Sequence, residues 1–156
     1  MFVTNHALSG VVIGRLLRRR PAAAFVVGVV SHLLLDAVPH WGCSPREPER
    51  FLAAAKRDGL LGLTTMAGAT IGVDPGSRTA VVAAMSGAVL LDLDKPLLHF
   101  FGIDPFPRVV QRIHTRIQNE SEKGLPNEIG FGLACAALDI VALVSGRRQG
   151  SLCTAG

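Results

Sequence analysis

Tyrosine is absent from this chain, tryptophan occurs once, and aromatic residues make up only 5% of its 156 positions. A nucleic-acid surface interleaves aromatic with basic residues, and no such pattern occurs, so the net charge of +4 does not point to nucleic acid. Cysteine is scarce too. Cys43, Cys135 and Cys153 are widely separated, odd in number and form no CxxC, which argues against a disulfide framework or a zinc ribbon. Cys135 lies within an apolar run and reads as a small core residue. No GxSxG, Walker A loop or HExxH is present, so a serine triad and P-loop phosphate transfer lack support. No run reaches a secure span of about 20 apolar residues. The first residues carry no basic n-region, which argues against a cleavable signal peptide.

The chain is nonetheless apolar, with a mean hydropathy of +0.38. Alanine, glycine, leucine and valine dominate, a composition suited to closely packed helices in a membrane or in a very apolar bundle. Five apolar segments stand out, at Ala7 to Leu17, Ala22 to Val38, Gly59 to Val73, Thr79 to Leu93 and Ile129 to Ser145. The second is the best candidate to cross a bilayer, and as a helix it would cover about 25 Å. Breaks fall at Arg18-Arg19-Arg20-Pro21, Ser44-Pro45 with Glu47-Pro48, Asp74-Pro75-Gly76-Ser77 and Gly124-Leu125-Pro126-Asn127. Short connections favour antiparallel neighbours. The expected architecture is all-α: a single domain over residues 1–156, with about five short apolar helices and one amphipathic helix. A short surface helix is expected over Glu47 to Lys56. The amphipathic helix is expected around Arg108 to Gln118, with Val109, Val110, Ile113 and Ile117 on one face and Arg108, Arg112 and Arg116 on another. Asp104 and Pro105 suit its start, and a lipid interface would satisfy both faces.

Alternating direction through five segments sorts the polar residues. His6 begins the first segment, His32, Asp36 and His40 end the second, and Asp92 and Asp94 end the fourth. His99 and His114 lie in the connection that follows, so all five histidines are expected at one end. Arg15, Arg18, Arg19, Arg20, Arg78, Arg147 and Arg148 gather at the other end, with Asp74 the only acid among them. The positive-inside rule then puts the arginine end in the cytoplasm and the histidine end in the periplasm or outside. An ionised carboxylate at a helix centre in a bilayer costs about 2.5–3.5 kcal/mol, so Asp36, Asp92 and Asp139 need partners. A divalent cation held by neutral histidines is one such partner. Arginine is another, and suits Asp139.

The strongest candidate site is Ser31 to Trp41. On a helix, His32 and Asp36 share a face. Pro39 ends that helix, and His40 falls where the chain turns away. Nitrogen and oxygen donors of this kind suit zinc, iron, manganese or nickel. Candidate metal ligands are therefore His6, His32, Asp36, His40 and Asp92. Asp94, His114 and Glu120 are the candidates to complete the site or act as acid or base. His99, between Leu98 and Phe100, reads as a buried structural residue, and Trp41 as an interfacial anchor.

At Thr4-Asn5-His6, Ser31-His32-Leu33-Leu34-Leu35-Asp36 with Pro39-His40-Trp41, and Leu91-Asp92-Leu93-Asp94, the chain resembles the YdjM-type family of small bacterial membrane-bound metal-dependent hydrolases. The HxxxD element is also similar to one in zinc-dependent phospholipase C. The order differs from the YdjM type, whose Asp-x-Asp element precedes Ser-His-x-x-x-Asp. Leu91 stands where that family has proline, and Arg112-Ile113-His114-Thr115 is at best a remnant of its His-Arg-x-x-Thr-His-Ser element. The resemblance implies a helical bundle with one or two zinc-like ions, hydrolysing a phosphoester or lipid-like substrate in a bacterial inner membrane. The rival readings are a non-catalytic membrane protein binding a metal or protein partner, haem held by paired histidines, and a soluble apolar bundle.

Overall fold

The computed structural model describes residues 1–42 and 48–153, and side chains as far as Val144 except at positions 48 and 143. Cys43, the expected break at Ser44-Pro45, and Glu47 lie outside the described residues, as do the side chains of Arg147, Arg148 and Cys153. The order is α1 (Val3–Leu16), α2 (Pro21–Ala37), β1 (His40–Trp41), α3 (Pro48–Gly72), α4 (Pro75–Val89), a 3-10 turn (Leu90–Leu93), α5 (Asp94–Phe101), α6 (Arg108–Ile117), β2 (Glu120–Ser121), a second 3-10 turn (Glu122–Gly124) and α7 (Leu125–Cys153). The all-α bundle expected from the apolar runs is present.

Its boundaries follow local chemistry. Pro21 opens α2, where its missing N–H costs nothing. Val38 precedes Pro39 and is extended at ψ 138°, so α2 stops there. Asp74 caps α4 by accepting the Ser77 N–H at 3.0 Å. That hydrogen bond is the main reason the Asp74 pKa lies below the usual carboxylate value. Asp74→Ala is expected to cost about 1 kcal/mol of stability. The cap is fully effective above the ordinary Asp pKa of about 3.9 and weakens as pH falls through the lower folded value, so the two proteins should converge in acid thermal melts.

Three expectations are corrected. The surface helix and the third apolar run form one continuous helix, α3, because no strong breaker separates Lys56 from Gly59. The amphipathic helix begins at Arg108, not Asp104. Pro107 disfavours helical backbone at Phe106, and Asp104 instead accepts from the Phe106 N–H and the Gln111 side chain. An extra short helix, α5, carries His99 to an exposed position, where the ring packs edge-on against Phe100. Gly102, in the left-handed conformation at φ 66°, ends α5, with its N–H and that of Ile103 closing back on Leu98 and Leu97.

Helix directions can be read from close contacts. Gly10 lies against Met85 and Gly14 against Val81, so α1 runs antiparallel to α4. Ala24 packs with Ala80 and Ala84, while His32 reaches Ala88, so α2 and α4 run the same way. Asn5 meets Glu128 and Arg15 meets Asp139, which aligns α7 with α1. The N-terminal ends of α1 and α7 therefore share one end of the bundle with the C-terminal ends of α2 and α4.

The core is built of small residues. Ala7, Ala24, Ala80, Ala84 and Ala88 are completely buried, with Gly10, Gly14, Gly28 and Gly87 at the crossings. Val11, Val73, Val81 and Met85 form a second buried cluster, but many large apolar side chains point outward, among them Leu34 on α2, Leu63 and Ile71 on α3, and Leu133 and Val141 on α7. Among the described residues one helical stretch, Glu122–Ala142, is long and apolar enough to cross a membrane, and only 11% of it is buried. The next most suitable, Pro21–Ala37, is shorter.

Candidate metal centre

The shared end of the bundle is held together before any ligand is considered. At the start of α1, Asp58 on α3 accepts the Val3 N–H at 2.6 Å and the Thr4 N–H at 3.1 Å. Glu128 on α7 accepts the Phe2 N–H at 3.1 Å and the Asn5 amide at 2.6 Å. Two carboxylates thus meet the N–H groups and positive dipole end of α1, fixing the turn that carries His6. Glu128→Gln keeps the shape but puts an NH₂ group where one oxygen accepts, against the Phe2 and Asn5 donors. It is expected to lower unfolding free energy by about 1–2 kcal/mol, read by denaturant titration.

A second clasp positions α6. Asn119 donates its backbone N–H to the Asp36 carbonyl at 2.9 Å. Beside it, β1 and β2 pair in parallel, His40 opposite Glu120 and Trp41 opposite Ser121. The Asn127 amide donates to the Pro39 carbonyl at 2.7 Å. These bonds satisfy carbonyls at the end of α2 and draw α6 across it. Val110, Gln111, His114, Ile117 and Gln118 then face inward, while Val109 and Ile113 are exposed. The expected apolar face is therefore divided, and the stripe containing His114 is the buried one.

Five side chains converge there. His6, His32, Asp36, Asp92 and His114 are each 6% exposed or less. His6 Nε2 is 3.2 Å from Asp36 Oδ1 and 3.7 Å from Asp92 Oδ2. His32 Nε2 is 3.3 Å from Asp36 Oδ2 and 3.0 Å from His114 Nε2. His114 Nε2 is 3.1 Å from Asp36 Oδ2. The Met1 amino nitrogen also approaches, 2.6 Å from Asp36 Oδ1. His32 Nδ1 donates to the Ala88 carbonyl at 2.7 Å, so its proton is on Nδ1 and Nε2 turns to the cluster. Metal-ligating histidines are commonly oriented by such a bond.

The donor set fits a transition metal. Ligands about 2.0–2.1 Å from one tetrahedral ion lie about 3.3 Å apart, within the range of these separations. Asp92 Oδ2 and His6 Nδ1 are buried without a hydrogen-bond partner among the described residues, and such atoms require explanation. Lys95 Nζ donates to Asp92 Oδ1 at 3.0 Å. The other oxygen, Oδ2, is left facing His6 at 3.7 Å.

The remaining candidates lie around the cluster. Asp94 Oδ2 is 4.0 Å from His114 Nδ1, beyond hydrogen-bond range. With Lys95, Leu98, Asp104, Gln111 and Thr115 it lines a pocket of about 170 Å³ beside the cluster. His40 is buried but separate, its Nδ1 donating to the Val38 carbonyl at 2.8 Å, because the extended Val38-Pro39 carries it into β1. Glu120 is exposed on β2, against Gly42. Trp41 is half-buried and packs on Phe2 with ring centres 5.5 Å apart. Far from the cluster, Asp139 pairs with Arg15 at 3.5 Å, and Cys135 is buried as expected. The haem reading does not fit. His6 and His32 stack 4.0 Å apart, and the His32 and His114 Nε2 atoms are too close to be axial ligands on opposite faces of a porphyrin.

Sequence reasoning missed Asp58, Glu128, Lys95 and the Ala88 carbonyl. Asp58 and Glu128 did leave a signal, each being a lone acid at the edge of an apolar run. The chain matches no protein-family model, no curated protein and no solved structure.

Proposed function

We propose that this protein is an integral membrane, metal-dependent hydrolase acting on a phosphoester or lipid-like substrate. The observation that carries the metal reading is the buried cluster of His6, His32, Asp36, Asp92 and His114, drawn from four parts of the chain with ligand-like separations. A bound divalent transition metal, zinc among the ions such donors suit, would supply Lewis acidity and lower the pKa of a coordinated water toward neutrality. The protein's own groups do the rest. His32 is oriented by the Ala88 carbonyl, Asp92 accepts from Lys95, and Asp94 lies beside the cluster, 4.0 Å from His114. Lys95 offers a positive charge to an anionic substrate oxygen at the pocket wall.

Membrane embedding is supported by the distribution of polarity. The interior holds glycine, alanine, histidine and carboxylate beside the Val11, Val73, Val81 and Met85 cluster, while many leucines, isoleucines and valines face outward. Water would penalise that arrangement, whereas lipid tails favour it, with small residues at helix crossings. Exposed Phe100, Phe101 and Ile103 around α5, and Val109 and Ile113 beside the α6 arginines, suit the interface. Placement in a bacterial inner membrane with the metal end periplasmic is the reading we favour from the compact run of Arg15, Arg18, Arg19 and Arg20, with Arg78, at the other end. The metal end carries more basic residues, but over longer connections and mixed with acids.

Hydrolysis of bis(p-nitrophenyl) phosphate by zinc-loaded protein in detergent tests the activity. The wild type should exceed Asp36→Asn by more than tenfold, and chelation should abolish the difference. Full zinc occupancy with no rate above the variant would leave the non-catalytic reading in its place.

A further inference from the structure

The five donors divide into two sets about one carboxylate. Asp36 Oδ1 faces His6 at 3.2 Å and the Met1 amino group at 2.6 Å, a cation whose place an ion on this side would take, and His6 in turn faces Asp92. Asp36 Oδ2 faces His32 at 3.3 Å and His114 at 3.1 Å. The chain holds two overlapping groups of potential ligands, His6–His32–Asp92 and His32–Asp36–His114, each with donor atoms within 4.8 Å of one another. His32 is common to both but cannot join two ions. Its Nδ1 is committed to the Ala88 carbonyl, and Nε2 has a single lone pair. A carboxylate with one oxygen turned to each set can join them.

We propose that the site is dinuclear, with Asp36 bridging one ion held by His6 and Asp92 and a second held by His32 and His114. This rests on the metal reading above. Donor number supports it independently of any activity. A catalytic zinc site takes three protein ligands and keeps a position open. Five side chains around one ion would close it, whereas two ions sharing Asp36 have three protein donors each and an open position each. The buried, unpartnered Asp92 Oδ2 is accounted for by the first ion. Charge points to the ligand class. Two dications outweigh the carboxylates of Asp36, Asp92 and Asp94, and Lys95 adds to the surplus. Such a centre suits an oxyanion such as a phosphoester, for which paired ions are a recurring solution.

Cobalt(II) loading of the full chain in detergent, with metal analysis and electron paramagnetic resonance, tests the inference without assaying turnover. The wild type should bind two cobalt ions per chain, and coupling through the bridge should attenuate their resonance. His6→Ala and His114→Ala should each retain one ion with an unattenuated signal. One ion per chain in the wild type overturns the dinuclear inference and leaves the metal centre standing. Two ions with independent signals overturn the Asp36 bridge. No bound cobalt overturns the metal reading and this inference with it. The wild-type measurements decide among these outcomes even if a variant fails to fold.

Discussion

Replacing Asp36 with asparagine is expected to strip the protein of bound zinc. Asp36 is completely buried, and its two oxygens touch His6, His32 and His114. Asparagine preserves the volume but removes the charge and puts an NH₂ where one oxygen accepts. Loss of a group that merely orients a ligand typically costs 10–100-fold in metal affinity, so loss of this central ligand should cost more than about 100-fold. Stability separates a metal site from a hydrogen-bonded histidine–aspartate network. Both accounts expect Asp36→Asn to destabilise the metal-free protein, by about 3–5 kcal/mol if it breaks a buried ion pair. Only a metal site makes zinc raise the wild-type melting temperature, by the equivalent of about 4 kcal/mol at a thousandfold excess over Kd. The variant should show no rise.

The second large effect belongs to the helix crossings. A Cβ at Gly87 would lie 2.2 Å from the Phe25 carbonyl oxygen, and one at Gly28 would lie 2.3 Å from that of Ala84. Neither neighbour is a side chain that can swing aside. Gly87→Val must therefore push α2 from α4, opening the alanine core and moving the Ala88 carbonyl away from His32. The expected loss is about 3 kcal/mol or more, the upper end of overpacking costs, together with weakened zinc affinity. Gly68→Ala is the matched control. Nothing lies within 4 Å of a Cβ there, so the helix-propensity gain of alanine should stabilise the protein by about 0.5–1 kcal/mol. Thermal unfolding in one detergent compares the two. Equal effects would remove the close-packed crossing from the account.

Much of the site could be read from parity. Alternating apolar segments send the start of the first and the ends of the second and fourth to one side, and His6, His32, Asp36 and Asp92 do meet there. His114 was legible as the centre of a polar stripe with Gln111 and Gln118 on an otherwise amphipathic helix. What escaped the sequence is set by tertiary contacts without a period. The β1–β2 clasp is two residues per strand, too short for alternation to register. It removes His40 from a site that its spacing from His32 and Asp36 suggested. The pairing of Asp58 and Glu128 with the first turn of α1 joins residues more than 50 and 120 positions apart. No local pattern announces such contacts. The continuous α3 was missed because Arg57-Asp58 read as a connection between two expected helices, and α5 because it is a single short helix of eight residues inside a long connection.

Metal analysis of the purified protein without added metal, and again after zinc loading and removal of free ion, is the decisive measurement for the metal centre. At least one equivalent of transition metal per chain, lost in Asp36→Asn and in His32→Ala, is the expected result. Less than about a tenth of an equivalent in the loaded wild type, unchanged by either substitution, would contradict it and leave the buried cluster as a hydrogen-bonded network.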